Sequence, residues 1–230
     1  MTDICILGYC PATKQFGVAA ASSAIGGSGA RLAACAWRGI VYSQGAAALP
    51  SPRRAAQLLE AGWRGKALLD AVGTDPDEAA RRLVLTIDAQ GRVADSVGAE
   101  IQKASYVRRS AGAIAASSGH ASAAAVAALL EHFDGHAAEP LAERLMRCIE
   151  QGSEACQAEF HSAFLRVHDP AIEYAYTDVT VDCHQAPVSE LRKAHDWLSP
   201  LYAYYALRGQ DPTIARYPQW LAKQGIARSN

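Results

Sequence analysis

Runs of apolar residues bounded by turn-forming residues predict three β-hairpins and two further strands. The hairpin strands cover residues 3–9 and 16–23, 83–89 and 92–98, and 160–167 and 174–181, and the further strands cover residues 35–43 and 111–117. Within residues 35–43, Arg38 and Gly39 are expected to form a bulge or a turn. The first hairpin turns through residues 10–15, and a glycine-rich segment, residues 25–30, follows it.

Apolar residues recur with helical spacing between these strand regions. One predicted helix follows a cap at Ser51, and another begins near Asp75. Four more are predicted over residues 66–72, 121–133, 140–151 and 188–207. Strands and helices come in groups, whereas a parallel α/β fold alternates them one at a time. The order predicts an α+β fold, a four-layer αββα sandwich of two mainly antiparallel sheets with helices on both outer sides. No linker or repeat divides the chain, so we expect one domain over residues 1–230, with residues 195–230 as a helical extension.

Composition excludes several classes of partner. Half of the 230 residues are hydrophobic and a fifth are charged, which is typical of a globular protein. The 22 basic and 23 acidic residues give a net charge of −1, so no overall field attracts nucleic acid or anionic lipid. Polar residues interrupt the alanine-rich residues 110–130, and no secretion signal is evident, so we expect a cytoplasmic protein without a membrane segment.

The cysteines and histidines indicate neither a metal site nor a cofactor site. No pair among the six cysteines has the two-residue separation of a zinc site, so we expect them to be small buried hydrophobes. His132 and His136 are four residues apart, but Gly135 lies between them and is expected to break the helix there. A solvated helix end is the interpretation we favour for this pair. We expect no metal and no cofactor.

Five segments in a fixed order resemble one bacterial family. They are the N-terminal hairpin that runs into GVAAASS, then SQGAA, IDAQGRVADSVG, LAERLMRCIEQG and DVTVDCHQAPVSELRK. Over residues 2–193 the chain is similar to the domain-of-unknown-function 1028 family, which is placed in the Ntn-hydrolase (N-terminal nucleophile) superfamily. The resemblance implies the αββα fold and hydrolysis of amide bonds. In that superfamily the first residue of the mature chain attacks a carbonyl, and its own α-amine is the base.

Two residues compete as the nucleophile that the resemblance implies. Thr2 follows Met1 and is small, so removal of the initiator would leave a free amine beside a hydroxyl. Counting back from Gly17, however, the threonine of the family falls on Asp3, and its usual serine falls on Cys5. Cys5 is therefore an alternative nucleophile, either after cleavage of the preceding peptide bond or as an internal thiol.

Polar side chains at predicted strand ends are candidates for substrate binding. Ser22, Ser23 and Ser43 can point into a cleft between the sheets, although short polar side chains also cap turns. Gln44 matches a family position, and its amide can donate to a developing oxyanion. The chain lacks the Lys that commonly follows the serine of the second strand, and it lacks the Gln and Asn side chains usual near residues 117–119.

The segment DVTVDCH predicts an acidic strand face that ends beside a histidine. Asp178, Thr180 and Asp182 share one face of this strand by their period of two. Asp182 and His184 are therefore candidate substrate-binding residues, and a solvent-facing polar edge is the alternative.

Three functional hypotheses follow. The first is a hydrolase of a C–N bond in a small metabolite, either an amide or an imine or enamine of amino-acid or aromatic degradation. Thr2 would attack the substrate, and backbone N–H groups with Gln44 would hold the oxyanion. The second is a catalytically silent sandwich that binds a metabolite or a protein, and the third is thiol chemistry at Cys5. An aromatic-rich tail beyond residue 195 predicts a homo-oligomer.

Overall fold

The computed structural model describes residues 2–26, 31–35, 37–45, 52–120, 122–156, 158–172 and 175–223. The predicted cap at Ser51 and residues 27–30 of the glycine-rich segment lie outside the described residues. Two antiparallel sheets and several helices account for most of the described chain, so the fold is α+β.

Ten strands form the two sheets. They are β1 (Asp3–Tyr9), β2 (Phe16–Ser22), β3 (Leu32–Cys35), β4 (Gly39–Gly45), β5 (Arg82–Asp88), β6 (Val93–Val97), β7 (Ser105–Ser110), β8 (Ala113–Ser118), β9 (Ser162–His168) and β10 (Ala175–Val181). The larger sheet has the order β10-β9-β2-β1-β8-β7, and the smaller has the order β3-β4-β5-β6. Each neighbouring pair is antiparallel.

Seven α-helices lie within the described residues. They are α1 (Pro52–Glu60), α2 (Gly65–Val72), α3 (Pro76–Ala80), α4 (Ala123–Gly135), α5 (Leu141–Cys156), α6 (Pro187–Gln210) and α7 (Tyr217–Lys223). Asp75 begins α3 by accepting hydrogen bonds from the backbone N–H groups of Asp77 and Glu78. Among the described residues no helix is both long enough and apolar enough to cross a bilayer.

Three apolar clusters hold the elements together, and strand alternation assigns side chains to them. On β1, Ile4 and Ile6 face a cluster shared with α4 and α5, whereas Cys5 and Leu7 face the smaller sheet. On β4, Val41 belongs to a third cluster, shared with α1 and α2. Because successive side chains of a strand point to opposite faces, each sheet contributes to two clusters.

The aromatic residues of the tail pack largely on one another. The ring of Tyr204, which is buried, lies 5.2 Å from that of Tyr217 and 5.4 Å from that of Trp220 between ring centroids. Trp197 is 83% exposed. Most of these side chains therefore stabilise the packing of α7 on α6.

Two strand predictions were wrong in detail. The single strand predicted over residues 35–43 is two strands, β3 and β4, joined by a turn at Trp37 and Arg38. Gly39 permits this turn because its φ is +154° and a Cβ there would lie 2.4 Å from the carbonyl oxygen of Ile87. β7 was not predicted, since it is an edge strand with exposed Tyr106 and Arg108.

The prediction that Gly135 breaks the helix between two histidines was also wrong. Helix α4 continues through Gly135, and His136 is the first residue beyond it. Both histidine rings therefore lie at the end of one continuous helix, on the same side.

Candidate functional site

One end of the larger sheet carries a row of polar residues, which we call the polar edge: Thr2, Ser22, Ser23, Ser118, His120, His161 and His184. The pairings of Asp3 with Ser22 and Ser118, and of Ser22 with Ser162, bring four strand ends to this edge. Neighbouring strands lie about 4.8 Å apart, so a side chain at one strand end can contact a side chain at the next. Residues 2–3, 22–23, 118–120, 161–162 and 184 thus meet although they are far apart in sequence.

Thr2 lies in the middle of the polar edge and is buried. Its backbone nitrogen donates a hydrogen bond of 2.8 Å to Ser23 Oγ, and its carbonyl oxygen accepts one of 2.9 Å from the Ser23 N–H. The backbone N–H of His120 donates to Thr2 Oγ1 at 3.3 Å. Both the nitrogen and the hydroxyl of Thr2 are therefore held by neighbouring residues.

Asp3 points the other way, into the layer between the sheets, and is fully buried. Its carboxylate forms an ion pair of 2.9 Å with Arg31 Nη1 and accepts hydrogen bonds from the hydroxyls of Ser22 and Ser118. These donors compensate for the loss of water around the carboxylate. The gap beside this pair, which Tyr42 also lines, is too narrow to hold a water molecule.

Cys5 is one pleat further along β1 on the same face as Asp3. It is fully buried, and burial together with the negative charge of Asp3 raises the pKa of its thiol well above the usual value. The Gln44 amide approaches this thiol. Neither amide atom of Gln44 has a hydrogen-bond partner among the described residues. A thiol in such surroundings stays neutral and behaves as a core side chain.

The predicted site residues separate into three places. Thr2 and Ser23 contact each other at the polar edge, and Ser22 supports Asp3 just inside it. Cys5 and Gln44 lie in the layer between the sheets, so the structure does not bring Gln44 to the Thr2 hydroxyl. Ser43 lies on the opposite face of β4, on the side of Val41 and the helices α1 and α2.

Asp182 and His184 extend the polar edge beyond β10. The carbonyl of Asp182 accepts a hydrogen bond of 2.8 Å from Gly26, and the His184 N–H donates one of 3.0 Å to the carbonyl of His161. His184, His161 and Cys183 line a cavity of about 490 Å³. This cavity lies about two strand spacings, or about 10 Å, from Thr2, since His161 pairs its backbone with Ser22.

Sequence reasoning did not identify Arg31, Ser118, His120 or His161 as parts of this region. Arg31 precedes a short strand in an unremarkable stretch, and its partner Asp3 is 28 residues earlier in the chain. Only the pairing of β8 with β1 places Ser118 and His120 beside the N-terminus. The polar tripeptide Ser117–Gly119 at the end of an apolar run was the available signal.

The comparisons with known proteins bear on the family and the fold. The model of the family of unknown function DUF1028 matches residues 4–191. The crystal structure of protein SPO2555 from Silicibacter pomeroyi, described with the same family, superposes with a TM-score of 0.78 at 22% identity, covering 96% of this chain and 93% of that one. Anbu (ancestral beta-subunit) from Yersinia bercovieri gives a TM-score of 0.43 at 10% identity, with 88% of this chain and 96% of that chain covered. No curated protein matches the chain.

Proposed function

The chain belongs to the family of unknown function DUF1028, and we propose that it hydrolyses a C–N bond in a small metabolite with Thr2 as an N-terminal nucleophile. The proposal interprets the three apolar clusters as a four-layer αββα sandwich of the Ntn-hydrolase type. The observation that carries it is the arrangement of Thr2, whose nitrogen and hydroxyl are held by Ser23 and His120 at the polar edge.

The reaction requires removal of Met1, which gives Thr2 a free α-amine. The amine takes the proton of the Thr2 hydroxyl while the oxygen attacks the substrate carbonyl or imine carbon. The C–N bond then breaks, the amine returns the proton to the departing nitrogen, and water releases the group bound to Thr2. Ser23 orients the amine, and the His120 N–H stabilises charge on the Thr2 oxygen.

An epoxyketone probe tests this arrangement without knowledge of the substrate. The hydroxyl of an N-terminal threonine adds to the ketone, and its free amine opens the epoxide, so the ring adduct needs both groups. We expect untagged protein to begin at Thr2 and to gain the full mass of one probe. Thr2→Ser should keep the adduct and Thr2→Ala should lose it. Retained Met1, or an adduct that survives Thr2→Ala, would overturn the proposal.

The second candidate function is a catalytically silent sandwich that binds a metabolite. The observation that favours it is the Asp3–Arg31 pair, which fills the layer between the sheets beside the polar edge. Such a protein could begin with either Met1 or Thr2. It would not react with the epoxyketone probe, and it would keep its ligand after Thr2→Ala. The cavity lined by His161 and His184 is then the binding site to test, with His184→Ala.

Thiol chemistry at Cys5 is the candidate that the geometry supports least. Cys183 is exposed whereas Cys5 is fully buried with a raised pKa. We expect iodoacetamide to alkylate Cys183 in the folded protein and to leave Cys5 unmodified, as read by peptide mass mapping. Any assay with alkylating reagents should use Cys183→Ser, because Cys183 lines a cavity at the polar edge. Modification of Cys5 in the folded protein would revive this candidate.

Oligomerisation is proposed on a separate observation. Trp197 remains 83% exposed, and large aromatic side chains are common anchors in interfaces. Light scattering of the wild type and of Trp197→Ser tests whether a homo-oligomer forms through this side chain.

A further inference from the structure

We propose that His132, His136 and Glu139 form a binding site for a divalent transition metal ion, with Zn²⁺ as the ion that these ligands fit. The site lies at the C-terminal end of α4, and Thr2 contacts the chain just before the N-terminal end of that helix. Thirteen helical residues rise about 20 Å, so the proposed metal site is separate from the polar edge.

The three side chains converge. Each offers one ligand atom, and these atoms all lie within 4.8 Å of one another. Nitrogen and oxygen ligands of one tetrahedral zinc ion lie about 3.3 Å apart, because each is about 2.0–2.1 Å from the metal. The atoms must therefore approach one another by up to about 1.5 Å, through rotation of their side chains, to reach a common ion.

The two histidine rings lie side by side at the end of α4, and they must rotate out of their stacked arrangement to bind one ion, because the lone pair of a ring nitrogen lies in the plane of its ring. His132 and His136 stack with ring centroids 3.9 Å apart and an angle of 12° between the planes. Nδ1 of His136 lies 2.9 Å from the carbonyl oxygen of His132, so it carries the proton and donates it there. That hydrogen bond fixes the tautomer and leaves the lone pair on Nε2 of His136 for a metal, as outer-sphere bonds to ligating histidines do.

Two of the three ligand atoms are buried polar atoms that no other described residue binds. Nε2 of His132 and Oε2 of Glu139 are buried without a hydrogen-bond partner among the described residues. They lie 3.9 Å apart, which is too long for a hydrogen bond. Buried polar atoms are normally paired, so this orphaned nitrogen and oxygen, side by side, point to an ion that joins them.

Charge and access also fit the proposal. The carboxylate supplies a negative charge, and its other oxygen, Oε1, faces Arg147 Nη1 at 3.6 Å. Arg147 itself bonds more closely to Glu143, at 2.6 Å, so it does not occupy the ligand oxygen. His132 lines an open cavity of about 540 Å³, which provides a path for the ion. Two histidines and one carboxylate leave a position for water, and imidazole nitrogen favours Zn²⁺ over Mg²⁺ or Ca²⁺.

The test is metal titration of untagged, chelator-treated full-length protein. We expect one Zn²⁺ per chain in competition with a chromophoric chelator, and a rise in the melting temperature with added Zn²⁺. Co²⁺ should give the strong visible absorption of a four- or five-coordinate site without thiolate-to-cobalt charge transfer. A thiolate band would place the ion at Cys183 and His184 instead and would overturn the assignment.

Matched variants separate binding from folding. His136→Phe keeps a ring to stack on His132 but removes the ligand nitrogen, and His136 is exposed, so the fold should survive. It should weaken Zn²⁺ binding at least about 100-fold, because changes in the outer sphere alone cost up to about that factor. Glu139→Gln should weaken binding, whereas the exposed Glu131→Gln and His184→Gln should not. Unchanged binding in His136→Phe, or no binding by the wild type at 100-fold excess of Zn²⁺, would refute the site.

Discussion

The two ends of the layer between the sheets bury an ionisable side chain in different ways. At the polar edge, Asp3 is charged and is matched by Arg31 and two hydroxyls. At the opposite end, His168 stacks on Phe16 with ring centroids 5.6 Å apart, and neither of its ring nitrogens has a partner among the described residues. The first end compensates a buried charge, whereas the second avoids one.

The difference follows from what lies around each group. Burial lowers the pKa of His168 to about 4, and the positive charge of Arg166 on the same strand face adds to the effect. His168 is therefore neutral at pH 7 and needs no counter-ion. Asp3 instead lies against the guanidinium of Arg31 and two hydroxyl donors, and these groups compensate a buried negative charge.

The largest expected effect comes from removing the counter-ion of Asp3. Arg31→Met leaves the buried carboxylate without its positive charge, and we expect a loss of about 3–5 kcal/mol in the free energy of unfolding. Urea denaturation at pH 7 measures this loss. The double variant Asp3→Asn with Arg31→Met should lose less than the single one, because no charge is then left unpaired.

A small loss would contradict this interpretation of the polar edge. If Arg31→Met costs less than about 1 kcal/mol, the pair behaves like an exposed surface ion pair. The exposed pair Lys66–Asp70 is the matched control, since its members lie on one helix and bond at 2.8 Å. Lys66→Met should change stability by no more than about 0.5 kcal/mol.

The contrast between the two ends also shows what sequence reasoning captured. The hairpin of β1 and β2 and the helices α4 and α5 were predicted because their apolar spacing is regular and their partners are adjacent in the chain. The Asp3–Arg31 pair was not predicted, because it joins side chains across the two sheets, and no local pattern encodes that contact. The role of His168 in the core was missed because its stacking on Phe16 depends on the pairing of β9 with β2, two strands that are far apart in the chain.

The candidate site was predicted only in part. Thr2, Ser22 and Ser23 do meet, since β1 and β2 form a hairpin whose register the sequence specifies. Gln44 and Ser43 are consecutive, and strand alternation places only Gln44 in the layer between the sheets. Predicting which of the two points inward requires knowing that a new strand begins at Gly39, whereas the sequence analysis expected one strand over residues 35–43 with a bulge or a turn at Arg38 and Gly39.

The second-largest expected effect is a loss of stability in acid that His168 causes at the end opposite the polar edge. The unfolded chain binds a proton at His168 near pH 6.5, whereas the folded protein does so only near pH 4. Stability is therefore fully present above about pH 6.5 and is lost as the pH falls toward 4, by roughly 3 kcal/mol for this group. His168→Phe should retain the stacking on Phe16 and remove this loss, as measured by urea denaturation at pH 7.5 and 4.5.

Exposed histidines provide the control for that experiment. His184→Gln should leave the difference between pH 7.5 and pH 4.5 as it is in the wild type, since its side chain is open to water. An equal acid loss in His168→Phe and in the wild type would show that the neutral histidine is not the source, and the comparison between the two ends would fail.

The smallest expected effect sharpens the comparison with a third arrangement, an ion-pair network that is only partly buried. Burial would raise the pKa of Glu143, but hydrogen bonds from Arg192 and Arg147 outweigh it and lower the pKa to about 2. Because the carboxylate is bound more tightly when charged, its contribution is present above about pH 4.5 and is lost as the pH falls toward 2. Glu143→Gln should therefore lower the free energy of unfolding by about 1–2 kcal/mol at pH 7 and by almost nothing near pH 2.

The exposed Glu154→Gln on the same helix is the control and should show no such pH dependence. An equal cost of Glu143→Gln at both pH values would assign the effect to packing rather than charge.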